Sequence, residues 1–162
     1  MGHSYGGFVI AQYISKFGNT NADKFIIMSS RLNMPLETAK NFINLEPSLF
    51  KEDGKTIVPF ESLEDFDFFK DYVEECPIES LVAGYHIEER FTESIKTSVI
   101  DNLLFVYAVN DKQVGRLSTT EINFLKQRKS KIIEIPNTVE DGHSAPIQDA
   151  LYTTQISDFI KL

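Results

Sequence analysis

Three residues of this chain have the types and the order that nucleophilic catalysis needs. Ser4 lies in Gly2-His3-Ser4-Tyr5-Gly6, Asp111 follows the apolar run Leu103 to Val109 by two residues, and His143 sits in "EDGHSAP". A serine hydroxyl is a weak nucleophile and must be held exposed beside a base. A sharp strand-to-helix turn does this, at the cost of strained backbone and crowded neighbours. Glycines two before and two after the serine relieve that crowding. The amide after the serine, on Tyr5, points from the helix amino terminus and can stabilise an oxyanion. An imidazole takes the proton, and a buried carboxylate fixes its tautomer.

Each assignment has a plainer rival. Ser4 fits the cap of the following helix. Asp111 in "VNDKQVG" fits a turn aspartate, held by local hydrogen bonds, and His143 fits an ordinary loop histidine. Asp141, two residues from His143, is a rival carboxylate but too local to reach behind the imidazole. His3 reads as a variable turn position and not as a base. His86 lies in a polar stretch and reads as solvated, and Cys76, just before a proline, as a small buried hydrophobe.

The elements that must position these residues alternate. "GGFVIAQYISKFG" predicts a helix apolar almost all round, hence well buried, with Gly18 as its terminator. "KFIIMSS" predicts a strand buried on both faces. Pro35 opens a helix running to about Asn44, and "EPSLFKEDGKTIVPF" reads as loop. "SLEDFDFFKDYVEEC" reads as a helix with Ser62 and Asp65 at capping-box spacing and Pro77 as its stop, and another helix is expected around "IEERFTESI". No strand is evident from Arg31 to Ile100, a stretch rich in acidic and aromatic residues, including Phe60, Phe66, Phe68, Phe69, Tyr72, Tyr85 and Phe91. Regularity returns with a strand from Leu103 to Val109. A helix follows with Ser118 and Glu121 as a capping box, then a short strand "KIIEIP". A closing helix is capped by Ser144, with Ile147, Leu151 and Phe159 on one side. This alternation predicts an α/β class with a parallel sheet flanked by helices and right-handed crossovers. In such sheets, functional groups gather at the carboxyl ends of the strands.

Composition narrows the classes. The 162 residues amount to about one domain, and 42% apolar content suffices for a core. A formal charge of −8 argues against nucleic acid as partner. The cluster Lys126, Arg128, Lys129 and Lys131 reads as a dipole-matched helix end. A single cysteine excludes an internal disulfide and a cysteine metal cluster, and suits a reducing compartment, the cytoplasm. No apolar run approaches a membrane span, and no signal-peptide pattern opens the chain. No cofactor or metal motif is present.

Taken together, these segments resemble the α/β-hydrolase family. "GHSYGG" looks like its nucleophile elbow, "FVYAVNDKQVG" like its acid-bearing strand and loop, and "DGHSAP" like its histidine loop, in the family's own Ser…Asp…His order. The resemblance implies Ser4 as nucleophile, His143 as general base and acid, Asp111 as orienting carboxylate and the Tyr5 amide as one oxyanion donor. Residues 1–32 and 98–162 would form the core, and 33–97 a mainly helical lid whose aromatics pack the insert or line an acyl pocket. The substrate would be a small acyl compound or ester, with strongly anionic ones disfavoured by the acidic lid.

The resemblance covers the back half of that fold. The strand leading into the elbow is then expected to be reduced to Met1, with nothing to enforce the turn. A second oxyanion donor, worth on the order of 3 kcal/mol, would come from an earlier segment. The first buried strand would expose an apolar edge. A complementary amino-terminal chain, or a homodimer through that edge, is the expected partner. An inactive remnant and an interaction module are the alternatives.

Overall fold

A computed structural model describes residues 1–46, 48–58 and 75–162 of the chain. Its centre is a four-stranded parallel sheet in the order β1 (Gly2–His3), β2 (Phe25–Met28), β5 (Leu103–Ala108), β6 (Lys131–Ile135). Strands β2 and β5 are buried along their whole length, as their unbroken apolar runs require. Their side chains alternate between two cores. Phe25, Ile27, Leu103 and Phe105 meet Phe8, Ile14 and Leu125 on one face. Ile26, Met28, Leu104 and Val106 meet Tyr152, Ile156 and Phe159 on the other.

The first face is covered by α1 (Tyr5–Phe17) and α5 (Thr119–Gln127), and the second by α6 (Ala145–Gln148) and α7 (Ala150–Lys161). Between β2 and β5 lie α2 (Leu36–Ile43), the hairpin β3 (Leu49–Phe50) and β4 (Ile57–Val58), α3 (Pro77–Ile87) and the single turn α4 (Phe91–Ser94). The architecture is thus α/β with a parallel sheet flanked by helices.

Several local expectations change. The elbow strand is not reduced to Met1: Gly2 and His3 pair in parallel with Ile27 and Met28. Helix α1 is one-sided, because only Gly7, Phe8, Ala11 and Ile14 are buried, whereas Val9 is 50% and Phe17 62% exposed. The segment 48–58 is not all loop. Leu49 and Phe50 pair antiparallel with Val58 and Ile57, closed by Asp53, whose carboxylate accepts from Lys55 N, Thr56 N and Thr56 Oγ1.

Pro77 starts a helix instead of merely ending one, as its fixed φ and missing N–H suit the first turn. The helix expected over "SLEDFDFFKDYVEEC", with Ser62 and Asp65, falls almost wholly outside the described residues, as do Pro47, Phe60, Phe66, Phe68, Phe69 and Tyr72. The closing helix is split. Ser144 makes no side-chain cap bond, while Asp149 caps α7 by accepting from Leu151 N at 2.8 Å. Tyr152, Ile156 and Phe159 are the buried side, and Ile147 and Leu151 face out. Cys76 is half-buried. The Ser118–Glu121 capping box forms with both reciprocal bonds.

Candidate active site

The turn at Ser4 is held from behind and from the side. The Ser4 N–H donates to Met28 O at 2.9 Å, extending the sheet by one rung, and Gly7 N donates to Ser4 O at 2.9 Å. Between those anchors Ser4 takes φ 55° and ψ −124°, a region costly for any residue with a Cβ. Its side chain makes no cap bond to the helix, so the simple N-cap reading does not describe it. The hydroxyl is left unengaged by the helix that follows.

The crowding falls on Gly2, as the motif suggests, and on Gly7 in place of Gly6. A Cβ on Gly2 would lie 2.3 Å from Gly6 O, and one on Gly7 would lie 2.4 Å from Ser30 Cβ, while one on Gly6 would meet nothing within 4 Å. Tyr5 is the first residue of α1, so its N–H has no acceptor within the helix.

Asp111 and His143 meet directly. Asp111 is 1% exposed, and its two oxygens lie 3.1 and 2.9 Å from His143 Nδ1. A carboxylate can only accept here, so Nδ1 carries the proton and Nε2 is the basic nitrogen. Asp111 Oδ1 also accepts from Gln113 N at 2.9 Å and Val114 N at 3.0 Å. The turn-aspartate geometry and the histidine contact therefore coexist, the first aiming the second. Asp141 is occupied locally, accepting from His143 N at 3.0 Å and Ser144 N at 3.2 Å. Burial pushes the Asp141 carboxyl up, but bonds from Ser144 and His143 outweigh it and hold the group below the usual range.

Two groups that the sequence left without a role hold the histidine's backbone. His143 O accepts from Ser29 Oγ at 2.6 Å and lies 2.8 Å from His3 Nε2. Ser29 is wholly buried with φ 46°, and the His3 ring stands edge-on to the His143 ring at 4.8 Å. The sequence signal for both is only position: each follows or ends a strand whose carboxyl end faces this loop cluster. Ser4 is thus one residue from a ring packed on His143, and among the described residues no hydrogen bond joins Ser4 Oγ to the His143 ring.

A buried ion pair fixes the loop that carries Ser29. Arg31 donates to Glu121 through Nε at 3.1 Å and Nη2 at 2.7 Å. Glu121 also accepts from Leu32 N and Asn33 N, both at 2.9 Å, and from Ser118 N and Oγ. Burial alone would raise the Glu121 carboxyl, but the Arg31 charge and these bonds hold it below its usual value.

His86 is half-buried, less solvated than the sequence reading has it. Its Nδ1 lies 2.8 Å from Tyr5 Oη, and its ring packs edge-on against Tyr5 and Phe91. Nε2 is buried without a partner among the described residues. Burial pushes the His86 pKa below and the Tyr5 pKa above their ordinary values.

A cavity of ≈ 460 Å³ opens at Ser4, between α1, α2, α3 and the loop after β5. Among the described residues no group of three or more His, Cys, Asp or Glu is gathered as a metal site. No helix there is long and apolar enough to cross a membrane.

Comparison with protein-family models and with curated proteins finds no match. Solved structures do match. They include MGS-M2, an α/β hydrolase enzyme from a Medee basin deep-sea metagenome library, with TM-score 0.53 and 15% identity over 99% of this chain and 64% of that one. An esterase, EaEST, from Exiguobacterium antarcticum gives TM-score 0.57 and 11% identity over 98% of this chain and 65% of its own. A thermophilic esterase gives TM-score 0.57 and 13% identity, covering 99% and 64%. The chain has the α/β-hydrolase fold. It spans 64–65% of the length of these three solved structures.

Proposed function

We propose that the chain carries the reacting residues of a serine hydrolase that cleaves an ester or other acyl bond. The observation that carries this reading is the backbone of Ser4. A non-glycine residue held at positive φ by a sheet hydrogen bond on one side and a helix on the other, with its hydroxyl unused by the following helix, is stored strain with a nucleophile at a cavity wall. The buried Asp111–His143 pair supplies the matching base.

In this mechanism Ser4 Oγ attacks the substrate carbonyl while His143 Nε2 takes its proton. Asp111 keeps Nδ1 protonated and stabilises the imidazolium. The carbonyl oxygen, now an oxyanion, is met by the Tyr5 N–H. His143 returns the proton to the departing alcohol, leaving an acyl group on Ser4. Water, deprotonated by His143, releases the acid and restores the hydroxyl. Residues 1–32 and 98–162 act as the core and 33–97 as the lid. A complementary segment pairing along the open side of β1 supplies the second oxyanion donor, and the lone cysteine suits a cytoplasmic protein.

The test is labelling of the purified chain with a fluorophosphonate probe. The expected result is labelling of the wild type, none of Ser4→Ala, and a rate lowered on the order of 10³-fold or more in His143→Ala. Equal labelling of wild type and Ser4→Ala sinks the proposal.

A second reading, an interaction module, draws on the exposed Val9 and Phe17 of α1 beside the edge strand β1. Native mass spectrometry of the chain that returns only monomer counts against it.

A further inference from the structure

The cavity beside Ser4 has a chemistry of its own. Phe8, Met34, Phe42 and Ile87 give it apolar walls, and its ≈ 460 Å³ lies within the span of small-molecule sites, about 300–1,000 Å³. Glu79 and Ser80, successive residues of the first turn of α3, are the polar ones among the described residues of that helix that line the cavity. Glu79 is exposed and is the one charged side chain among the described residues lining the cavity. Ser80 is 2% exposed, and its Oγ has no hydrogen-bond partner among the described residues. A buried hydroxyl without a partner is unfavourable and becomes favourable when a ligand atom meets it.

We infer that the substrate of this site is an ester whose acyl group is apolar, bears a neutral hydrogen-bonding substituent such as a hydroxyl, and carries no negative charge. The inference rests on Ser4 as the nucleophile. The apolar walls take the hydrocarbon part. Ser80 Oγ meets the substituent at the cavity wall, where one hydrogen bond to an otherwise unpartnered group discriminates strongly. Glu79 repels a carboxylate approaching the mouth, with no cation among the described lining residues to offset it.

The experiment compares p-nitrophenyl butanoate, 3-hydroxybutanoate and hemisuccinate as substrates of the whole chain, its Glu79→Gln variant and its Ser80→Ala variant. For the wild type, kcat/KM should be highest for the hydroxybutanoate and lowest, by about tenfold or more, for the hemisuccinate. Glu79→Gln should raise the hemisuccinate-to-butanoate ratio by about fivefold or more. Ser80→Ala should abolish the hydroxybutanoate advantage and leave the hemisuccinate ratio unchanged. A hemisuccinate cleaved as fast as the butanoate, or ratios that neither substitution moves, overturns the inference.

Calorimetric binding of the three matching methyl ketones to Ser4→Ala reads the same preferences without turnover. If that order holds while the wild type cleaves none of the esters, the assignment of the cavity stands and the catalytic reading fails. If the wild type cleaves esters and takes fluorophosphonate but shows no such order in either assay, the cavity assignment alone fails.

Discussion

Glu121 is the residue whose replacement probes the structure most sharply. Its carboxylate is wholly buried and accepts from Arg31, Leu32 N, Asn33 N, Ser118 N and Ser118 Oγ. Glu121→Gln keeps the volume but removes the charge and turns one acceptor into a donor. That donor then faces Arg31 or Ser118, and the Arg31 guanidinium is left buried without its counter-ion. Removing one partner of a buried pair costs about 3–5 kcal/mol. For a domain of this size each kcal/mol lowers Tm by roughly 2–4 °C, so the expected fall is roughly 6–20 °C.

The assay is thermal and urea unfolding followed by circular dichroism at pH 7. The pH dependence carries a sign. The folded-state pKa of Glu121 lies below its ordinary value, so its contribution is complete above the unfolded carboxylate pKa and is lost as pH falls through the folded one. The gap between wild type and variant should therefore shrink in acid. A loss under about 1 kcal/mol at pH 7, or a gap that widens on acidification, would refute the reasoning. Replacing both partners, Arg31→Met with Glu121→Leu, should recover most of the loss. Because the same loop carries Ser29 Oγ to His143 O, the single variant should also label more slowly with fluorophosphonate.

Three further outcomes follow from the geometry. Asp111→Asn should fold, since Gln113 N and Val114 N still find a side-chain oxygen, but should label on the order of 10³–10⁴-fold more slowly because Nδ1 loses its anionic acceptor. Gly54→Val should destabilise by about 1–3 kcal/mol, read by urea unfolding. Its Cβ would lie 2.4 Å from Val109 O, and Gly54 O accepts from Arg116 N at 2.9 Å, so faster exchange of the Arg116 amide should accompany the loss. His86 has a lowered pKa through burial, with Glu89 favouring and Lys16 opposing its charge. The unfolded chain then binds more protons just below the ordinary histidine value, so stability falls there as pH falls. His86→Phe should show a smaller drop in Tm between pH 7 and pH 5.

Much of the fold was readable because it is local. An unbroken apolar run such as Phe25–Met28 or Leu103–Ala108 makes sense only when both faces are covered, and Ser118 with Glu121 satisfies a helix end within four residues. The unforeseen details were also local in form. Pro77, read only as a stop, also opens α3, and Asp149 in place of Ser144 makes the side-chain cap by accepting from Leu151 N. The two-residue β1 is too short to show any period; only pairing with Ile27 and Met28 makes it a strand.

For the candidate site, the sequence by itself determined which groups could react: a serine between glycines ahead of a helix, then an aspartate and a histidine after apolar strands. What only the tertiary structure decided was contact. Asp111 and His143 are separated by 32 residues and meet within 3.1 Å because β5 and β6 run in parallel and end at one edge. Glu121 reads as a helix cap and becomes the counter-ion of Arg31, 90 residues away. His86 reads as a solvated residue and is half-buried, its ring packed against Tyr5, beside Ser4. Local propensity is settled by neighbours within a turn or two. Burial, and with it the charge and hydrogen-bonding state of a side chain, is set by whatever the sheet brings alongside.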